Sequence, residues 1–167
     1  MKRAHIFLAL GYAYQQERST MQKLPYLTAA LLCEKVLEEK NGTLSVMRII
    51  DRIEFQIGPG TPEVESLAIK PTIPISGLIS IKSGPVTGKT RIYLDGVSPS
   101  GTRKRIMTYE VDLRGGDHGQ NIIVNMVFGI GEEGLHWFEV LVEDALMTKI
   151  PLMVVRRPSE PAISPTG

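Results

Sequence analysis

Asn121-Ile122-Ile123-Val124-Asn125-Met126-Val127-Phe128-Gly129-Ile130 runs into Gly131-Glu132-Glu133-Gly134, and then into Leu135-His136-Trp137-Phe138-Glu139-Val140-Leu141-Val142. In the first run the apolar residues Ile122, Val124, Met126, Phe128 and Ile130 fall on every second position. In the second, His136, Phe138, Val140 and Val142 share one face, and Trp137, Glu139 and Glu143 are among the residues on the other. Alternation of this kind belongs to an extended strand with one buried face. Two such runs around a Gly/Glu turn predict a β-hairpin. Ile150, Leu152 and Val154 extend the pattern into a last strand.

The same period recurs upstream. Residues 27–40 fit a helix as well as a buried strand, but Asn41-Gly42 supplies the two positive φ angles of a type I′ turn. The run beyond it alternates through Met47, Ile49, Ile53, Phe55 and Ile57, against Arg48, Arg52, Glu54 and Gln56. A long first hairpin is therefore predicted. Gly58-Pro59-Gly60-Thr61-Pro62 ends it, and residues 58–71 read as an extended connection. Ile73, Ile75, Ile79 and Ile81 alternate next, with Pro74 marking an edge position and Gly77 a candidate bulge. Ile92 and Leu94 lie in a strand that ends near Asp95-Gly96 and the turn Ser98-Pro99-Ser100-Gly101. Met107, Tyr109, Val111 and Leu113 follow, up to Gly115-Gly116. About eight strands with turn signals between them predict an all-β, immunoglobulin-like antiparallel sandwich. In that analogy His136 takes the place of the tyrosine-corner residue and Phe138 that of the second cysteine.

The chain of 167 residues is long enough to bury one core without staples. Residues 25–157 are read as the sandwich domain, and the Pro-rich tail 158–167 as disordered. Residues 1–24 form an N-terminal extension open to three readings: a short amphipathic helix, a signal-like segment, or a start that belongs at Met21. A cytoplasmic location is the expectation, or a secreted or periplasmic one if residues 1–13 act as a signal. The apolar part of that segment is too short to span a bilayer. A net charge of +1 gives no long-range field, so nucleic acid is not an expected partner. The single cysteine, Cys33, excludes an internal disulfide framework and sits in an apolar run, as a buried thiol would.

Few residues carry chemistry. Gly84-Pro85-Val86-Thr87-Gly88-Lys89-Thr90 suggests a phosphate-binding loop, but one residue is missing between the first glycine and Gly-Lys. Arg91-Ile92-Tyr93-Leu94 is moreover a strand, not the helix whose N-terminus would bind the anion. The segment is read as a hairpin loop, and no nucleotide or other cofactor is expected. His5, His118 and His136 lack metal-site spacing. His136 reads as a hydrogen-bonded residue at a strand entry, and Asp117-His118 as part of a solvated Gly-rich loop that could hold a general base. Thr102-Arg103-Lys104-Arg105 reads as a solvated edge that discourages strand pairing, and the acidic residues as strand-exterior partners that do not converge. Trp137 is the only tryptophan; if exposed beside Leu135 and Leu141 it would anchor a partner or a sugar ring, with Tyr93 a second stacking candidate.

Ala29-Ala30-Leu31-Leu32-Cys33-Glu34, Asn41-Gly42-Thr43-Leu44-Ser45-Val46, Ile50-Asp51-Arg52-Ile53, Tyr93-Leu94-Asp95, Pro99-Ser100-Gly101, the strand from Asn121, Gly134 to Val142, and Ile150-Pro151-Leu152-Met153-Val154 carry a family resemblance. Over roughly residues 25–156 the chain resembles a family of small, uncharacterised bacterial β-sandwich proteins, a domain of unknown function. The resemblance implies the fold and a hairpin at its start; it brings no accepted activity and no catalytic residues. The chain departs from it in the N-terminal extension and in a longer link around residues 58–72. The expectation is a non-enzymatic module that binds a protein partner or itself. The alternatives are a carbohydrate-binding module, or an enzyme using the Asp117/His118 loop.

Overall fold

The computed structural model describes residues 23–56 and 70–157. The readings of the N-terminal extension, most of the 58–71 connection and the Pro-rich tail lie outside those residues. Within them the chain forms strands β1 (Tyr26–Glu38), β2 (Leu44–Ile49), β3 (Arg52–Gln56), β4 (Thr72–Val97), β5 (Arg103–Gly129), β6 (Gly134–Val142) and β7 (Ala145–Arg157). No helix among the described residues is long and apolar enough to cross a membrane.

Two very long strands organise the rest. β4 and β5 form one hairpin closed by the turn at Ser98–Thr102, and they pair along nearly their whole length. The first half of β4 has β1 as its other neighbour, through Tyr26↔Lys82 to Cys33↔Ser76. Its second half has β6 instead, through Ile92↔Val142 to Val97↔Trp137. One layer is therefore β2-β1-β4-β5, built on the first half of β4 and the second half of β5. The other is β5-β4-β6-β7-β3, built on the remaining halves. Every pair is antiparallel except β3 with β7.

The ribbon turns from one layer to the other at Lys82–Thr87 and Arg114–Gly119, where the register breaks twice. The side chains record the turn. On β4 the positions that enter the hydrophobic core switch from odd (Ile75, Ile79, Ile81) to even (Ile92, Leu94), and on β5 from odd (Val111, Leu113) to even (Ile122, Val124). All of them join Leu32, Phe138, Val140, Leu152 and Val154 in one core. Gly84, at φ +55, lies at the break, where a Cβ would come within 2.6 Å of the Tyr26 ring. The Gly84–Gly88 and Gly115–Gly119 segments, expected as a hairpin loop and a solvated loop, are the bend of a continuous ladder.

Four further expectations are corrected. The runs 122–130 and 136–142 do not pair with each other: β5 bonds β4, while β6 bonds β4 and β7. They lie in opposite layers and meet through side chains, Phe128 packing on Phe138 at 6.0 Å and edge-on to His136 at 5.3 Å. Alternation reports which face is buried, and two strands facing each other across a core read the same as two strands side by side. The first hairpin is also shorter than expected. The chain leaves β1 after Ile49 and crosses to β7, so that Ile53 is buried whereas Met47 and Ile49 are exposed. Finally, the turn at Asn41-Gly42 has a positive φ at Gly42 alone. Backbone bonds Gly42 N to Glu39 O and Glu39 N to Thr43 O close a turn with one left-handed residue, not type I′. Gly77 sits in unbroken register and makes no bulge.

Candidate functional site: the outer face of the second layer

Paired residues on neighbouring strands point to the same side of a sheet. With Ile92, Leu94, Phe138 and Val140 in the core, the alternate residues face outward. The ladders then set out that face in rows. Tyr93 lies beside Leu141 and Thr108; Asp95 beside Glu139 and Arg105; Val97 beside Trp137 and Arg103. Across β6 the rows continue, Glu139 to Lys149, Trp137 to Pro151 and Leu135 to Met153. Tyr93, Leu135, Trp137 and Leu141 thus share one face, each half-buried. Asp117 and His118 do not: they are exposed at the ribbon bend, and neither side chain makes a hydrogen bond or ion pair among the described residues.

The centre of the face was not anticipated. Asp95 and Glu139 are direct cross-strand neighbours, each only 3% exposed. Three cations cover them. Arg105 grips Asp95 with two nitrogens, Nη2 reaching Oδ2 at 3.2 Å. Arg103 bonds Glu139 Oε2 and approaches Asp95 at 3.6 Å, and Lys149 Nζ lies 2.8 Å from Glu139 Oε1. Arg105's hydrogen bonds hold the Asp95 carboxyl below the ordinary carboxylate range, against the opposing pull of burial. Lys149 first, then Arg103, does the same for Glu139. Two adjacent carboxylates would repel and share a proton if left alone; here the neighbouring cations keep both ionised. The expected solvated edge at 103–105 is accordingly pinned on one side, and two acidic residues do converge. The i,j pairing of Asp95 with Glu139 depends on long-range register, so no local signal marked it.

The asymmetry of burial gives the face its character. Arg103, Arg105 and Lys149 keep 51%, 47% and 47% of their side chains in solvent, against 5% and 4% for Asp95 and Glu139. The charges nearly balance, yet what solvent meets is cationic. Beside the cluster lies an apolar group of Val97, Leu135, Trp137 and Met153, half-buried, with Pro151 exposed. Tyr93 is less open to a ligand than its position suggests, since the Arg105 guanidinium sits 3.9 Å from its ring centroid and occupies the face that a sugar would stack on.

At one end the site joins a cleft of about 550 Å³, lined by Lys104, Ile106, Met126, Phe128, His136 and Trp137 among others. His136 is buried there and its Nε2 lies 3.0 Å from the Glu132 carbonyl, as a strand-entry residue should. Glu132 in turn accepts from the Ser100 backbone N–H and hydroxyl, both at 2.9 Å, which fastens the β4–β5 turn to the loop before β6. Those bonds hold the Glu132 carboxyl below its ordinary value, the backbone bond most. Among the described residues, no group of three or more His, Cys, Asp or Glu side chains could hold a metal ion.

The architecture is an all-β sandwich of seven strands among the described residues. No protein-family model and no curated protein sequence matches the chain. Among solved structures it is similar to a β-glucosidase from Listeria innocua, at 8% identity and a TM-score of 0.43, over 82% of this chain and 17% of that one. A β-glucosidase 3B from Thermotoga neapolitana matches at 11% identity and a TM-score of 0.37, over 85% and 19%. An immunoglobulin-like protein from Pseudomonas aeruginosa matches at 13% identity and a TM-score of 0.34, over 80% and 98%. The chain therefore spans less than a fifth of the β-glucosidases it matches. Likeness at this level has no bearing on activity.

Proposed function

We propose that the chain is a non-enzymatic β-sandwich interaction module that binds an acidic partner protein on the outer face of its second layer. The observation that carries this reading is the half-buried apolar group around Trp137, bordered by half-exposed cations whose counter-charges lie beneath them. Tryptophan and arginine together dominate the energetics of protein interfaces, because each offers a large desolvated contact at small entropic cost. Acidic side chains on a partner would meet half-exposed guanidinium and ammonium groups, while apolar ones would cover Trp137. Asp95 and Glu139 serve this surface as struts: by fixing Arg103, Arg105 and Lys149 in place, they lower the entropy lost on binding.

The test is capture from the native cell with the wild-type chain and a Trp137→Ala/Arg103→Glu variant side by side. A stoichiometric protein held by the wild type and lost from the variant supports the reading. A partner retained by both moves binding off this face, and the absence of any partner counts against an interaction module altogether.

A further inference from the structure

Every sheet edge offers unpaired N–H and C=O groups to another strand, and soluble proteins blunt their edges with charge, bulges or shortness. Among the described residues, three of the four edge segments are blunted. β2 is six residues long and carries Arg48; β3 is five residues long and carries Arg52 and Glu54. The first half of β5 holds Arg103, Lys104, Arg105, Glu110, Asp112 and Arg114, with a register shift opposite Asp95. The second half is different. From Gly119 to Gly129 it contains no charged residue and no proline, and among the described residues it pairs only with β4. Val127 stands 72% exposed on it. A long, uncharged, β-prone edge of this kind is a template for strand pairing.

The sequence of that edge also selects its partner. Asn121-Ile122-Ile123-Val124-Asn125 reads nearly the same in both directions. We propose that this half of β5 pairs antiparallel with the same segment of a second copy of the chain, about a two-fold axis through Ile123. Such an axis keeps the outer face of one copy continuous with the outer face of the other, so paired residues must have the same parity. Centred on Ile123, Asn121 meets Asn125 and Ile122 meets Val124, and both pairs satisfy that condition. The two asparagines are already oriented. Asn121 Oδ1 accepts from the Ser80 hydroxyl at 2.7 Å, and Asn125 Oδ1 from the Ser76 hydroxyl at 2.8 Å. Each amide nitrogen can then donate across the axis to the other's oxygen, which has a second lone pair. With no charge on the segment, nothing repels across the axis. The layer β2-β1-β4-β5 becomes one continuous sheet through both copies. This surface lies in the layer opposite the Trp137 face, so it stands or falls separately from the proposed function.

Sedimentation of the full 167-residue chain over a range of concentrations tests it. The wild type should reach twice the monomer mass. Ile123→Lys sets two ammonium groups face to face at the axis, and Val127→Lys restores the usual edge protection; each should weaken the dimer at least about tenfold. Far-UV circular dichroism checks that both keep their strands, and if Ile123→Lys unfolds, Val127→Lys decides, because its side chain is exposed. Tyr109→Lys, in the charged half of β5, should leave the dimer intact. Under mild oxidation an Asn121→Cys/Asn125→Cys double variant should crosslink two chains, and neither single variant should. A wild type that stays monomeric at every concentration overturns the proposal. A dimer that resists Val127→Lys, dissociates with Tyr109→Lys, or never crosslinks through positions 121 and 125 overturns it as well.

Discussion

Removing Lys149 should cost more than removing the carboxylate it binds, and removing both should recover stability. Lys149→Met takes away the ammonium 2.8 Å from Glu139 Oε1, while the Glu139 side chain, 4% exposed, cannot recruit water in its place. Deleting one partner of a fully buried pair costs roughly 3–5 kcal/mol. Arg103 still bonds the other oxygen, and Lys149 was itself 47% exposed, so about half of that cost applies, about 2 kcal/mol. For a chain of this size that lowers Tm by about 4–8 °C. Glu139→Gln releases two cations that are already half in water, and should cost about 1 kcal/mol or less. The double variant should therefore be more stable than Lys149→Met alone, the signature of an orphaned charge relieved. Glu139's folded pKa lies below its unfolded value, so its ionisation stabilises the fold fully above about pH 4, and that contribution is lost as pH falls through the folded value. The gap between wild type and Lys149→Met should accordingly close on acidification. Urea unfolding followed by Trp137 emission at neutral and acid pH reads all of this. A double variant less stable than Lys149→Met, or a gap that widens in acid, would refute the description of Glu139 as a buried carboxylate dependent on its cations.

Other consequences are simpler. Phe138, 2% exposed and packed on Phe128 across the core, should lose about 3–5 kcal/mol as Phe138→Ala in the same urea experiment. Gly84→Ala should destabilise by about 1–2 kcal/mol from its positive φ. Adding Tyr26→Ala should remove the steric contact and leave that loss largely in place, since the exposed Tyr26 ring can swing aside; full recovery would show that the clash, not φ, was responsible. Burial pushes the Cys33 thiol above its ordinary pKa, so an aromatic disulfide reagent should leave it unreacted in the native chain and titrate it fully in urea. Rapid native labelling would contradict its burial.

The sequence carried the faces of the strands and lost their neighbours. The alternation at Ile122–Ile130, His136–Val142 and Ile150–Val154 named the core residues of β5, β6 and β7, because burial of one face imposes a period of two wherever the strand sits. The same alternation could not say that 122–130 and 136–142 face each other instead of pairing. The switch of core parity between Ile81 and Ile92, and again between Leu113 and Ile122, is visible in the sequence, but the glycines between make each long strand look like two strands broken by a loop. A ladder that continues through glycines at a bend has the same local composition as two turns. The aromatic and aliphatic part of the candidate site was legible, since Leu135, Trp137 and Leu141 fall on the parity opposite Phe138. Its charged centre was not. Asp95 and Glu139 alternate like any solvent-facing residues, and their burial arises only when register sets Arg103, Arg105 and Lys149 over them.

Collisional quenching of Trp137 tests the central claim most directly, because the only tryptophan reports on its own surroundings. A half-buried ring bordered by half-exposed cations, with their carboxylates buried, should be quenched by acrylamide and more strongly by iodide than by caesium. The iodide preference should shrink as inert salt is raised. Emission insensitive to acrylamide would mean that Trp137 is sealed, and stronger quenching by caesium would mean that the surface around it is anionic. Either result would contradict a cationic, tryptophan-centred binding face.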